Sequence, residues 1–166
     1  MPLEFIPYGE SWLASLVPMW REAFEHGNGI KDTNPIERQR AYFLSEVLPA
    51  YEVTLAVDHD LMVGFMASSL ESVSQLHVRV GHHRAGIGTA LIERAKQRSS
   101  GSLWLYTFTR NVNACRFYEK QGFIPVDYGF EPTWQADDVK YRWVRASGFR
   151  AATPSESRGA SFKRVV

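Results

Sequence analysis

Leu76-His77-Val78-Arg79-Val80-Gly81-His82-His83-Arg84-Ala85-Gly86-Ile87-Gly88-Thr89-Ala90-Leu91-Ile92 reads as an apolar strand, a glycine-bearing turn and the start of an amphipathic helix. A helix that opens straight from such a turn makes an anion site, because its first backbone N–H groups have no partner within it. The amides of Ala85, Gly86, Ile87 and Gly88, and Thr89 with its hydroxyl, suit a pyrophosphate. Gly86 and Gly88 lack Cβ atoms, which lets a ligand come close to the backbone. Downstream, Asn111-Val112-Asn113-Ala114-Cys115-Arg116-Phe117-Tyr118-Glu119-Lys120-Gln121-Gly122-Phe123 reads as a second short helix that presents a tyrosine and stops at Gly122. A phosphate cradle followed by a phenol narrows the chemistry.

Other ligands for such a turn fit poorly. A dinucleotide fingerprint needs a further Gly or Ala three residues after Gly88, and that place holds Leu91. A P-loop needs Gly-Lys-Ser/Thr, whereas Gly88 is followed by Thr89-Ala90. His77, His82 and His83 match no zinc spacing, so no metal is expected. His82 and His83 read better as lining the turn, where imidazole can donate to an anion; His77 reads as a core or cleft histidine, with a base role as a further option. Cys115 has no histidine close in sequence to activate it and reads as a small buried hydrophobe.

Outward from this stretch, Leu3 to Ile6 reads as an edge strand. Trp12, Leu13, Leu16, Trp20, Ala23 and Phe24 give helical spacing, with a kink or break expected near Val17 because of Pro18. A second helix is expected from Asn34, as cap, to Pro49, with Glu37 completing a capping box. Val53–Val57 and Met62–Ala67 flank the turn Asp58-His59-Asp60 as a hairpin. Val73–Val80, Leu103–Phe108, Phe123–Tyr128 and Val139–Val144 are further strands, the last two separated by a polar loop from Glu131 to Asp138. This order predicts a mixed α/β (α+β) domain with a mostly antiparallel central sheet of about seven strands and four helices. It occupies residues 1–146, with 147–166 expected as a disordered tail, since Gly, Ser, Ala and Arg dominate there without periodicity.

Composition excludes several classes. The 166 residues suffice for one domain with its own core, at 45% apolar and 22% charged. A formal net charge of +1 gives no field favouring nucleic acid or an anionic membrane. One cysteine rules out an internal disulfide, and the N-terminus lacks the pattern of a signal peptide, so a cytoplasmic location is expected. No apolar run has the length of a membrane span.

The element order and the two motifs together resemble the GCN5-related N-acetyltransferase (GNAT) superfamily, over roughly residues 3–145 in layout. In that family a Gln/Arg-x-x-Gly-x-Gly/Ala turn holds the pyrophosphate of acetyl-coenzyme A. The run here is His83-Arg84-Ala85-Gly86-Ile87-Gly88, with His83 in place of Gln or Arg and Arg84 beside it able to supply the charge. The family's Asn-x-x-Ala-x-x-Phe-Tyr segment matches at Asn111, Ala114, Phe117 and Tyr118. The resemblance implies an acyl-CoA N-acyltransferase fold and acetyl-CoA as co-substrate. It implies direct transfer to a primary amine of a small molecule or peptide, and Tyr118 as the proton donor to the leaving thiolate. It also implies carbonyl polarisation by a backbone N–H near Leu76, His77 and Val78. A glutamate on the preceding strand often serves as base; Glu71 lies near that place, about one residue out of register. Substrate contacts are expected from the two N-terminal helices and the Glu131–Asp138 loop; Glu131, Trp134, Asp137 and Asp138 would suit a cationic amine, but a solvated loop is the preferred reading of them. Dimers are common among related proteins, so a homodimer is admitted. The competing reading is a non-catalytic acyl-CoA-binding or sensing module with the same fold.

Overall fold

Asp58-His59-Asp60 turns the chain as its residue types demand. In the computed structural model, which describes residues 3–146, strand β2 (Glu52–Asp58) returns as β3 (Leu61–Ser68) through two left-handed residues, His59 at φ 48° and Asp60 at φ 63°. Two positive φ values in a two-residue loop match the right-handed twist of the flanking strands. The tail expected at 147–166 lies outside the described residues.

β1 (Glu4–Pro7) joins the free edge of β2, and β4 (Val73–Val78) joins β3, giving an antiparallel sheet in the order β1-β2-β3-β4. β5 (Ser102–Phe108), β6 (Ile124–Glu131) and β7 (Ala136–Val144) form a second antiparallel sheet in the order β5-β7-β6. The expected seven strands are therefore divided between two sheets. They meet at one parallel bridge, Ser72 to Trp104, where the Trp104 N–H donates to the Glu71 carbonyl at 3.0 Å. Past that bridge β4 and β5 form no ladder, and the sheets splay apart.

Helix α1 (Leu13–Asn28) follows a 3₁₀ turn and ends at Gly29, φ 61°. The break expected near Val17 is absent, and α1 runs on through Pro18, which is exposed while Leu16, Val17, Met19 and Trp20 are buried. Its ring therefore faces water and displaces no packing. α2 (Ile36–Tyr42), a π-helical stretch (Phe43–Val47) and α3 (Leu48–Ala50) make one continuous run; α4 (Ile87–Arg98) and α5 (Val112–Lys120) bring the helices to four with that run counted once. The capping box expected at Asn34 does not form. Pro35 is the N-cap residue, and Asn34 is drawn away by Asp32, whose Oδ1 accepts both the Asn34 N–H and its Nδ2 at 2.9 Å.

α4 and α5 cover one core, containing Leu76, Leu91, Leu105 and Tyr118, while α1 and the α2 run cover the other, containing Trp20, Phe43 and Phe65. Gly64 lets α4 close on β3: a Cβ there would stand 2.9 Å from the His77 carbonyl oxygen and 3.2 Å from Ile87 Cγ2. The loop expected from Glu131 to Asp138 shrinks to Pro132–Gln135, because β6 extends to Glu131 and β7 begins at Ala136. Among the described residues no helix is long and apolar enough to cross a membrane.

Candidate active site

The splay leaves one edge of β4 without a strand partner. The Arg79 N–H donates to the Val63 carbonyl at 2.8 Å, so by alternation His77 also faces β3, while the N–H and C=O groups of Leu76 and Val78 face the gap towards β5. Of the three expected carbonyl contacts, the backbone thus offers Leu76 and Val78.

Immediately beyond β4 comes the glycine-bearing turn. Arg84 (φ 67°) and Gly86 (φ 80°) are both left-handed on either side of Ala85, an alternation that turns successive N–H groups into one concavity. For arginine that conformation costs on the order of 1 kcal/mol, a strain found at binding sites. Gly86 is the N-cap of α4 with no side-chain cap, so the first amides of α4 stay available. A Cβ on Gly86 would meet nothing within 4 Å. Gly88 differs from expectation: the space a side chain would take is filled by Phe117, not left for a ligand. Ile87 gives only its backbone to the turn, since its side chain is core. The Thr89 hydroxyl accepts from Gln121 Nε2 at 3.2 Å and keeps its own proton to donate.

His83 and Arg84 both project from the turn. His83 stacks on His26 of α1 with ring centroids 6.2 Å apart. Crowding by protein on one side, with the neighbouring His26 and His82, pushes its pKa down. Among the described residues no group of three or more His, Cys, Asp or Glu could hold a metal ion.

The second motif builds the wall opposite. Asn111 is the N-cap of α5, its Oδ1 accepting the Ala114 N–H at 3.1 Å. Tyr118, one turn on, is 0% exposed in the core shared by Leu76 and Leu105, one residue from each diverging strand. Burial, then the Cys115 thiol, raise its pKa well above the usual phenol value, so it stays protonated. Burial also pushes the Cys115 thiol up, which makes the thiolate scarcer.

Glu71 is not brought to this place. It is exposed in the loop before β4, and its backbone braces the inter-sheet bridge. At about 3.3 Å per residue it lies roughly 16 Å along the strand from Leu76. His77 is buried between Phe65 and Trp20, and burial lowers its pKa to about 3. At neutral pH it is an uncharged imidazole, and its Nε2 lies 2.8 Å from Gln75 Oε1. Since an amide oxygen only accepts, Nε2 carries the proton and fixes the Gln75 side chain.

Gln75 opens into a cavity of about 450 Å³, on the face of β4 opposite α4, that the motifs did not reveal. Trp20, Phe24, Tyr42 and Trp134 supply its aromatic lining. Its polar residues include Arg21, Arg38, Gln39, Asn34 and Asp32, the last being its one carboxylate. Residues of both N-terminal helices line it, and so does Trp134 from the β6–β7 turn. Glu131 and Asp138, read as part of a solvated loop or as partners of a cationic amine, are instead 1% and 0% exposed and belong to the strands. Sequence offered one signal for the cavity: Arg21, Arg38 and Gln39 lie on helices whose other faces are apolar.

Comparison with known proteins agrees with this architecture. Residues 49–125 match the model of the acetyltransferase (GNAT) domain. The apo form of YjaB from Escherichia coli superposes with a TM-score of 0.70 at 20% identity, over 88% of this chain and 100% of that one. NAA60 of Arabidopsis thaliana, solved with a bisubstrate analogue, gives 0.69 at 18% identity, over 89% and 100%. PaiA N-acetyltransferase of Thermoplasma acidophilum, solved with coenzyme A, gives 0.66 at 17% identity, over 86% and 100%. At these identities the likeness is one of fold. No curated protein matches the chain. Residues 49–125, which hold the whole glycine-bearing turn and both diverging strands, are similar to the acetyltransferase (GNAT) domain, and the remainder shares its fold with the solved structures.

Proposed function

We propose that this protein is an acetyl-CoA-dependent N-acetyltransferase that passes the acetyl group directly to a primary amine of a small molecule or peptide. The observation that carries the reading is the placement of the splayed β4 edge beside a turn of free, converging amides. Such a turn suits a pyrophosphate, and the residues present fit it: the amides of Ala85 to Thr89, with charge from Arg84 and donors on His83. Asn111, Ala114 and Phe117 line the way from that turn, and the thioester supplies an activated acetyl group. The N–H groups of Leu76 and Val78 polarise its carbonyl, where fixed donors stabilise the oxyanion as it forms. The amine arrives from the cavity and its nitrogen forms the new C–N bond as the C–S bond breaks. Tyr118 gives its proton to the departing thiolate, and the amine's proton leaves through water. Asp32 is engaged by Arg21 and His77 stays neutral, so neither is assigned as base. With one cysteine and no disulfide to protect, the proposed setting is the reducing cytoplasm.

A non-catalytic acyl-CoA-binding module is favoured by one observation, the complete burial of Tyr118. Tyr118→Phe separates the two. An enzyme loses turnover and keeps coenzyme binding; a sensing module has no turnover to lose.

A further inference from the structure

We infer that the acceptor amine carries a carboxylate on a flat apolar body, and that Arg38 is the residue that selects it. This rests on the acetyltransferase reading above. The cavity holds two guanidinium groups in different states. Every nitrogen of the Arg21 guanidinium donates and its charge is paired: Nε to Gln39 Oε1 at 3.0 Å, Nη1 to the Asn34 carbonyl at 2.7 Å and Nη2 to Asp32 Oδ2 at 3.1 Å. Arg38 gives a single hydrogen bond, from Nη1 to Asn34 Oδ1 at 3.0 Å, and no carboxylate lies within ion-pair distance of it among the described residues.

Two guanidinium groups against the one carboxylate, Asp32, leave the lining one positive charge in excess, and that charge is Arg38. Its direction is set in advance, because Asp32 Oδ1 clamps Asn34 from both the backbone N–H and Nδ2 at 2.9 Å, and Asn34 in turn holds Arg38. A guanidinium fixed at one corner with its other N–H groups free is suited to take a carboxylate in bidentate fashion. A polyamine would instead bring positive charge to a cavity with no free acid. Trp20 and Trp134 offer ring surfaces for an apolar body, while Gln75, fixed by His77, lies on β4 beside the edge that would hold the thioester.

The test uses pairs that differ only at the acid. Thiol release from acetyl-CoA is measured with phenylalanine and phenylalaninamide, with 4-(aminomethyl)benzoate and its carboxamide, and with spermidine. In parallel, tryptophan fluorescence is titrated with 3-phenylpropionate and 3-phenylpropionamide, which need no catalysis. The expected result is a preference of tenfold or more for the carboxylate in kcat/KM for at least one pair and in Kd, both lost in Arg38→Gln. Arg38 is exposed, and circular dichroism confirms the variant's fold. Equal use of the pair, preference for spermidine, or a preference that survives in Arg38→Gln overturns the inference. Selective carboxylate binding without any thiol release would keep the anion site and remove the acetyltransferase reading; release without selectivity would do the reverse.

Discussion

The edge of the Phe117 ring packs tightly against the place where a side chain on residue 88 would begin: a Cβ on Gly88 would stand 3.2 Å from Cζ and 3.4 Å from Cε2. The two sequence motifs are thus locked to each other by packing, and the glycine sets how closely α4 approaches α5. Gly88→Ala gains helix propensity, at most about 1 kcal/mol, but overpacks a ring contact, a cost of about 1–3 kcal/mol. The expected net effect is a loss of about 1 kcal/mol in urea unfolding, recovered in part when Phe117→Leu is added. A Gly88→Ala protein as stable as the parent would show that the ring moves freely and that the lock is not real.

Arg84 gives a separate test of the turn. Its left-handed backbone is strained for arginine and free for glycine. Arg84→Gly should therefore be more stable than Arg84→Ala by about 1 kcal/mol. Both variants should bind coenzyme A more weakly than the parent, since both lose the charge. Calorimetric titration that found unchanged affinity would remove Arg84 from the cradle.

How much of this was legible in the sequence depended on whether the determinant was local. The hairpin at Asp58-His59-Asp60 and the stop at Gly122 rest on the chemistry of a few adjacent residues, and each is where those residues require. Asn34 looked equally good as a cap, yet Asp32 outbids the helix for its amides, a competition that spacing alone does not reveal. The polar stretch from Glu131 to Asp138 read as loop because its residues are mostly polar, yet Glu131 and Asp138 are buried in paired strands, a pairing that local composition does not reveal. Division of the sheet at Ser72 and Trp104, and the cavity beside Gln75, arise from packing between elements far apart in the chain. Periodicity carries no trace of either.

Tyr118 sets the expected pH behaviour of turnover. A general acid must be protonated, so its loss shows as a fall in kcat above its pKa; burial raises that pKa, placing the fall beyond the usual phenol value of about 10. Tyr118→Phe should lower kcat about 100-fold with little change in KM for acetyl-CoA. A kcat that falls between pH 7 and 9 in the parent and not in Tyr118→Phe would contradict the assignment of a raised pKa.

His77 should make the fold acid-sensitive. Its folded pKa of about 3 lies below the unfolded value of 6.5, so the unfolded chain takes up a proton that the folded one refuses. Stability from this group is complete above pH 6.5 and is lost as pH falls from there towards 3, at up to about 1.4 kcal/mol per pH unit. In His77→Gln, urea unfolding from pH 7 to 4 should show a shallower slope. An unchanged slope would mean that the ring is hydrated in the folded state.

Acetyl transfer itself is tested most directly by following thiol release and product mass together, with acetyl-CoA and a panel of carboxylate-bearing amines, polyamines, aminoglycosides and peptide N-termini. The expected result is amine-dependent release of coenzyme A above the rate of hydrolysis for at least one acceptor, with its mass raised by one acetyl group and the signal lost in Tyr118→Phe. Tight coenzyme binding with no acetylated product from any acceptor would contradict the account.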